Sequence, residues 1–225
     1  MATTRIMPLH IGKGRTESRA ISKIIDYVAN PQKTDHGRLI TGYECDSRVA
    51  DAEFMLAKRQ YIAATGRVRG ADDVIAYHVR QSFCPGEITP EEANRLGVEF
   101  AKRFTKGKHA FIVCTHIDKA HVHNHIIWSS VNLDCDRKFR NFWGSTKAVR
   151  RLSDTICIEN GLSMYNAGRR GCMPLRPALF FLMSVPSRNM AVLPATSKNS
   201  CYLDSRICMY YTVLVTVIRL DWKRR

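Results

Sequence analysis

Apolar positions recur along this chain with two different spacings, and the changes between them mark its elements. Thr3 to Leu9 reads as a strand, followed by a Gly-Lys-Gly-Arg turn at 12–15. From Ser18 the spacing lengthens to that of a helix running to Ala29, with Ile21, Ile24, Ile25 and Val28 on one stripe. Asn30-Pro31 ends it, because the residue before a proline is pushed out of the helical region. A short strand over Leu39 to Glu44 precedes a second helix, Val49 to Ala64, closed by Gly66. Asp73 to Phe83 is rich in β-branched and aromatic residues and predicts a strand. Thr89-Pro90-Glu91-Glu92 opens a third helix, with Thr89 as N-cap, proline in the first turn and Glu92 completing a capping box. His109 to Asp118 and His121 to Val131 read as two tightly joined strands, and a last helix runs from Ser145 to Asn160, stopping at Gly161. Helices mixed with a strand hairpin predict an α+β fold in which helices back an antiparallel sheet.

Composition adds a core and a partner class. The chain has 225 residues and is 45% hydrophobic, enough to bury a core and to exclude wholesale disorder. Its 35 Lys and Arg outnumber 20 Asp and Glu, a net charge of +15 that calls for a polyanion, either nucleic acid or an anionic membrane surface. No apolar run reaches the ~18 residues of a spanning helix. The longest, Ile207 to Ile218, stops at Arg219, and the first ten residues hold no apolar signal core. The expectation is a soluble, cytoplasmic protein with no membrane insertion. The eight cysteines never approach closer than seven residues, so no zinc-type ligand pair exists, and reduced thiols packed as small core hydrophobes are expected. Charge also divides the chain. Residues 1–166 carry 25 basic and 18 acidic residues, whereas 167–225 carry 10 and 2, without sustained periodicity. That tail reads as separate from the first part: a DNA-binding extension, or a poorly ordered or out-of-frame end.

Five of the eight histidines fall between positions 109 and 125. Alternate residues of a strand share a face, so His121, His123 and His125 point one way, and His116 and Asp118 share a face of the preceding strand. A two-residue turn at Lys119-Ala120 would set Asp118 opposite His121 and His116 opposite His123, ~5 Å apart. Three imidazoles on one face, opposed by a fourth, suit a metal better than an apolar core. A structural zinc usually closes with thiolates, and only Cys114 is near. An open histidine site suits a catalytic divalent ion, which with the positive charge points to a phosphodiester. A nucleophile is then needed. Tyr27 lies off the apolar stripe of its helix, near the C-terminal end, free to face a groove.

Three stretches together carry a family resemblance. Asp26-Tyr27-Val28-Ala29-Asn30-Pro31-Gln32-Lys33-Thr34 resembles the catalytic-tyrosine motif of relaxases, the mobilisation nucleases of conjugative plasmids and transposons. His116-x-Asp118-x-x-His121-x-His123-Asn124-His125 resembles that family's metal motif, and Tyr77 to Phe83 followed by Pro85-Gly86-Glu87 is similar to it as well. The resemblance spans residues 1–165, so residues 1–166 are expected to form a relaxase nuclease domain and 167–225 an atypical basic tail. It implies a five-stranded antiparallel sheet flanked by helices, with the metal on the central strands. It also implies a site- and strand-specific nickase that attacks single-stranded DNA at a transfer origin, leaving a 5′-phosphotyrosyl link and a free 3′-hydroxyl. Tyr27 would be the nucleophile. The family spacing makes His116, His123 and His125 the ligands of Mg²⁺ or Mn²⁺, with His121 a further candidate; a literal histidine–hydrophobe–histidine reading instead selects His121 and His123 around Val122. Asp118 would orient a ligand or help take the phenol proton. Accessory relaxosome proteins and a coupling protein are the implied partners.

Other polar residues read as DNA contacts. Lys13 and Arg15 sit in the Gly-rich turn, and His78 shares a strand face with Arg80. Arg137, Lys138 and Arg140 are interleaved with Phe139, Phe142 and Trp143, which suits a stacking platform for single strands and equally a loop with buried aromatics. Two other functions share part of this pattern. A rolling-circle replication initiator usually places its tyrosine after the histidines, whereas Tyr27 precedes His116 by 89 residues. A metal-stapled DNA-binding remnant would bind without cleaving.

Overall fold

The computed structural model describes residues 3–10, 16–68, 70, 73–165 and 172–173. Lys13 and Arg15, and the tail beyond Met173, lie outside the described residues. The elements are β1 (Thr3–His10), α1 (Glu17–Val28), β2 (Ile40–Tyr43), α2 (Ala50–Thr65), β3 (Val74–Ser82), α3 (Pro90–Thr105), β4 (Phe111–His116), β5 (His123–Ser129) and α4 (Ser145–Glu159). A two-stranded pair, β6 (Met164–Tyr165) and β7 (Cys172–Met173), follows. The first five strands form one antiparallel sheet in the order β1-β3-β5-β4-β2. The α+β fold with a five-stranded antiparallel sheet therefore holds. Among the described residues no helix is long and apolar enough to cross a membrane.

Two hydrophobic clusters fill the two sides of the sheet. Ile21, Ile25 and Val28 of α1 and Phe54 of α2 pack on Ala76, Ile112, Cys114 and Ile127. Leu96 and Phe100 of α3 and Val149 and Ile156 of α4 pack on Val79, Val113, Ile126 and Trp128. Covered on both faces, β4 and β5 are buried at every position and lose the apolar–polar alternation of a half-exposed strand. Full burial of each large apolar side chain among them is worth ~1.5–3 kcal/mol.

The helix ends follow local chemistry. Thr16 caps α1 by accepting from the Arg19 amide, and Thr89 caps α3 by accepting from the Glu92 amide at 3.3 Å. The Glu92 carboxylate turns to the Thr89 hydroxyl, a variant of the expected capping box. Gly66 ends α2 at φ +65°, in the left-handed region that glycine adopts without strain.

The β4–β5 hairpin is shorter than its sequence suggests. Its ladder ends at His116 opposite His123, and residues 117–122 form a connection rather than a two-residue turn. The physical reason is a competing partner: the Ile117 amide donates to the Lys33 carbonyl at 3.0 Å, which draws the chain toward the segment after α1. Asp118 and His121 consequently leave the ladder and do not face each other across it. Elsewhere α2 turns an unusual stripe inward, Ala50, Phe54, Lys58 and Tyr61. The Lys58 ammonium is neutralised by Glu17 and, at 2.9 Å, by Asp73, which also binds Lys138. Cys45, Cys114, Cys135 and Cys157 are free thiols as expected, whereas Cys84 is disulfide-bonded, so the expectation of reduced thiols throughout fails there.

Candidate active site

The sheet register builds the site. In β5 the side chains of His123 and His125 face the α1 side, while Asn124 between them faces α3. His116 of β4 stands opposite His123, and Arg80 of β3 stands opposite His125. One ring nitrogen from each of His116, His123 and His125 lies within 4.8 Å of the others, and all three residues are buried. His121 stays outside this group: its ring sits 5.3 Å from that of His123, and its carbonyl accepts from His123 Nδ1 at 3.4 Å.

The hydrogen bonds around the rings select their tautomers. The Val28 carbonyl can only accept, so His116 Nε2, 2.8 Å away, carries the hydrogen and Nδ1 keeps its lone pair. The same logic leaves His123 Nε2 with a lone pair. His125 Nδ1 shares a hydrogen with His78 Nε2 at 2.8 Å. His116 Nδ1 and His125 Nε2 are buried and have no hydrogen-bond partner among the described residues. Unpartnered buried acceptors are costly unless something fills the space between them, and three neutral imidazoles are a donor set for a divalent transition ion. The residues therefore fit the metal that the sequence motif implies.

Electrostatics keep these rings ready. Burial pushes the His123 imidazole down to about 4, and burial together with repulsion from His78 and His116 takes His125 down to about 2. Burial also lowers His116, against the Val28 carbonyl and the Asp118 carboxylate, which both favour its charged form. All three are neutral near pH 7, the form a cation requires. Cys114, opposite His125 in the ladder, is no rival ligand, because burial holds its thiol up at about 12.

Tyr27 reaches the same place from α1. Its ring centre lies 5.8 Å from that of His125 and 6.1 Å from that of His116, both edge-on, and the residue is 53% exposed. The helix stripe anchors Val28 at 0% exposure and turns Tyr27 out of the core onto the imidazoles. The carbonyl that holds His116 belongs to the residue after Tyr27, so one helix end positions both. Lys33 Nζ sits 4.2 Å from the Tyr27 ring centre and 3.9 Å from Asp118 Oδ2. Asp118 thus meets Lys33, and the outer nitrogen of His116 goes to a backbone carbonyl rather than to this carboxylate.

The remaining predicted residues separate. Arg80 is exposed and, with Ser82, Lys119 and His121, lines a recess of about 360 Å³ beside His123. His78 is buried against His125, with a ring separation of 5.0 Å, and burial pushes its imidazole down to about 4, so it presents no free surface to DNA. Lys138 is committed to Asp73. Arg137 and Arg140 lie at the other end of the sheet, near the start of β3. The face that His78 shares with Arg80 is local to β3, whereas its partner His125 comes only from the adjacency of β3 and β5. Val28 and Lys33 stood inside the tyrosine motif without an assigned part.

Residues 27–162 match the family described as Relaxase: MobA/VirD2-like, nuclease domain. A protein named Protein rlx from Staphylococcus aureus is 35% identical over 169 residues, covering 75% of this chain and 46% of its own length. The Group II intron-interrupted relaxase LtrB of Lactococcus lactis subsp. cremoris is 32% identical over 139 residues, 53% of this chain and 24% of that protein. The chain spans less than half the length of these curated relatives. A solved structure described as Molecular Basis of Vancomycin Resistance Transfer in Staphylococcus aureus covers 76% of this chain and 100% of its own, at 13% identity and a TM-score of 0.46. A likeness that loose says nothing about function.

Proposed function

The chain belongs to the MobA/VirD2-like relaxase family through its nuclease domain, and from that premise we propose that it nicks single-stranded DNA at a transfer origin by transesterification. The observation that carries the reading is the half-exposed Tyr27 ring within 6.1 Å of two buried imidazoles, each with one ring nitrogen that has no hydrogen-bond partner among the described residues. The Tyr27 oxygen attacks a backbone phosphorus, forming an oxygen–phosphorus bond as the bond to the 3′ oxygen breaks. The electron pair stays on that oxygen, which takes up a proton, and the phenol proton departs to the solvent that Tyr27 faces. The products are a 5′-phosphotyrosyl link and a 3′-hydroxyl. One phosphodiester replaces another, so the reverse attack reseals the strand without a nucleotide triphosphate.

His116, His123 and His125 would hold the divalent ion, and His121 is left outside the set. Bound there, the ion supplies Lewis-acid charge to a non-bridging phosphate oxygen. Three imidazoles favour a transition ion such as Mn²⁺ over Mg²⁺, which prefers oxygen ligands. Lys33 adds a fixed cation beside the attacking ring, and Asp118 steadies that lysine. Arg80 is free to meet the strand as it passes His125. Accessory relaxosome proteins and a coupling protein are the partners such a reaction calls on.

The test is mass analysis of the protein incubated with Mn²⁺ and a pool of random single-stranded oligonucleotides. A tyrosyl–DNA species is expected, and it disappears in Tyr27→Phe. Undiminished adduct in that variant refutes the assignment of the nucleophile, and its absence from the parent favours a binding-only remnant.

A further inference from the structure

A second feature sits at the opposite end of the sheet. β3 runs from Val74 to Ser82, with Arg80 opposite His125. Val74 at its start lines a recess of about 560 Å³, within the range of ligand-sized pockets. Six residues at ~3.3 Å each separate Val74 from Arg80, so the two places are ~20 Å apart along the strand.

The recess is cationic with aromatic walls. Arg67, Arg137, Lys138 and Arg140 oppose Asp73 and Asp136, four cations against two carboxylates. Asp73 is already occupied by Lys58 and Lys138, and Asp136 lies 3.6 Å from Arg137. Arg67 and Arg140 are exposed and have no ion pair among the described residues. An exposed, unpaired guanidinium beside a recess is a phosphate-binding group in want of an anion.

The aromatics of residues 139–143 divide by role. Phe139 packs into the core, 4.9 Å from the ring of Tyr77, and forms the floor. Phe142 and Trp143 turn outward, and Trp143 is 92% exposed, with Lys147 5.3 Å from its ring centre. An indole left in water loses its apolar burial, so its presence two residues beyond Asn141, which lines the basic recess, indicates an occupant with flat, stackable surfaces.

We infer that this far end is a second single-stranded nucleic-acid surface, on which Trp143 stacks a base and Arg67 and Arg140 hold the adjoining phosphates. The inference rests on the proposed nicking function for its choice of polyanion. Phosphate contacts alone would suit duplex and single strand alike; the exposed indole favours the single strand, whose bases offer their faces. Six stacked nucleotides at ~3.4 Å each match the ~20 Å that separates the two ends along β3.

Binding of a labelled oligo-dT about 30 nucleotides long, more than the ~4–16 nucleotides such a surface occupies, is measured by anisotropy across a salt series on the full chain. A blunt duplex of equal length serves as the comparison. Trp143→Ala is expected to weaken oligo-dT binding by roughly five- to 150-fold with the salt slope intact, the range of one lost base stack. The double variant Arg67→Gln/Arg140→Gln is expected to weaken it and to flatten the slope by ~1.4, about 0.7 per phosphate contact. Unchanged affinity in either variant, or a Trp143→Ala loss as large for the duplex, overturns the inference. If the parent binds oligo-dT and forms the Tyr27 adduct while these variants bind normally, only the far-end surface falls. If the parent binds no oligo-dT and forms no Tyr27 adduct, the nicking function falls with it.

Discussion

Replacing Gly97 by alanine sets two effects of known size against each other. Gly97 lies inside α3, where alanine is favoured over glycine by ~1 kcal/mol. Helix propensity alone therefore predicts a more stable protein. Packing predicts the reverse. A Cβ there would stand 2.7 Å from Asn124 Nδ2 and 2.8 Å from Val113 Cγ1, well inside the ~3.5–4.0 Å at which such atoms attract. Both neighbours are 0% exposed and have no room to retreat, and overpacking of this kind costs ~1–3 kcal/mol. If the Asn124 amide gives way, it loses its bonds to the Ala93 carbonyl at 2.6 Å and Gln81 Oε1 at 3.3 Å. A buried polar group left unpaired adds ~1–3 kcal/mol. The net is a destabilisation of ~1–5 kcal/mol, or roughly 3–15 °C in melting temperature for a domain of this size. Asn124 stands between His123 and His125, so the strain is delivered to the imidazole site. Thermal unfolding by circular dichroism and Mn²⁺ titration calorimetry read the two consequences. A Gly97→Ala protein as stable as the parent, with the same Mn²⁺ affinity, refutes the claim that this contact holds β5 in place.

Two further outcomes rest on buried polar contacts. His78→Leu is expected to weaken Mn²⁺ binding ~10–100-fold by releasing the outer nitrogen of His125, while His78→Gln, which keeps an acceptor there, retains most of it; equal losses in the two variants would reduce His78 to a packing residue. Burial of Asp73 opposes its ionisation, but its hydrogen bonds and charge contacts with Lys138 and Lys58 outweigh this and hold its carboxyl below the usual range. Its stabilising contribution is present above the ordinary value of 3.8 and is lost as pH falls through the lower folded value. Asp73→Asn should flatten the acid limb of a stability–pH curve and cost about 3 kcal/mol at neutral pH, where the buried Lys58 keeps only Glu17. An unchanged acid limb counts against the assignment.

Much of the site was legible in the sequence because its logic is local. The period of two puts His123 and His125 on one face, and the hairpin register sets His116 opposite His123 even though the expected tight turn is absent. The stripe Ile21, Ile25 and Val28 likewise fixes Tyr27 as the residue turned away from the core of its helix. Caps at Thr89 and Gly66 needed only neighbouring residues. Local logic failed where a distant partner competed. Lys33 takes the Ile117 amide and undoes the tight turn, removing Asp118 and His121 from the ladder. Asp73 takes Lys138, and His125 takes His78, two side chains that charge or face alone had assigned to DNA.

What the chain determines by itself, then, is which residues share an element and a face, since backbone geometry repeats over two to four residues. Which elements become neighbours is decided only on folding. β4 and β5 are buried on both sides, and the central part of β3 is buried almost throughout, so their hydrophobic patterns do not encode the order β1-β3-β5-β4-β2. That order brings His78 to His125, carries the Val28 carbonyl to His116, and separates the imidazole end of the sheet from the basic recess at the start of β3. Contacts between residues 47 and 88 positions apart depend on closing the whole core at once, and no local periodicity can hold that information.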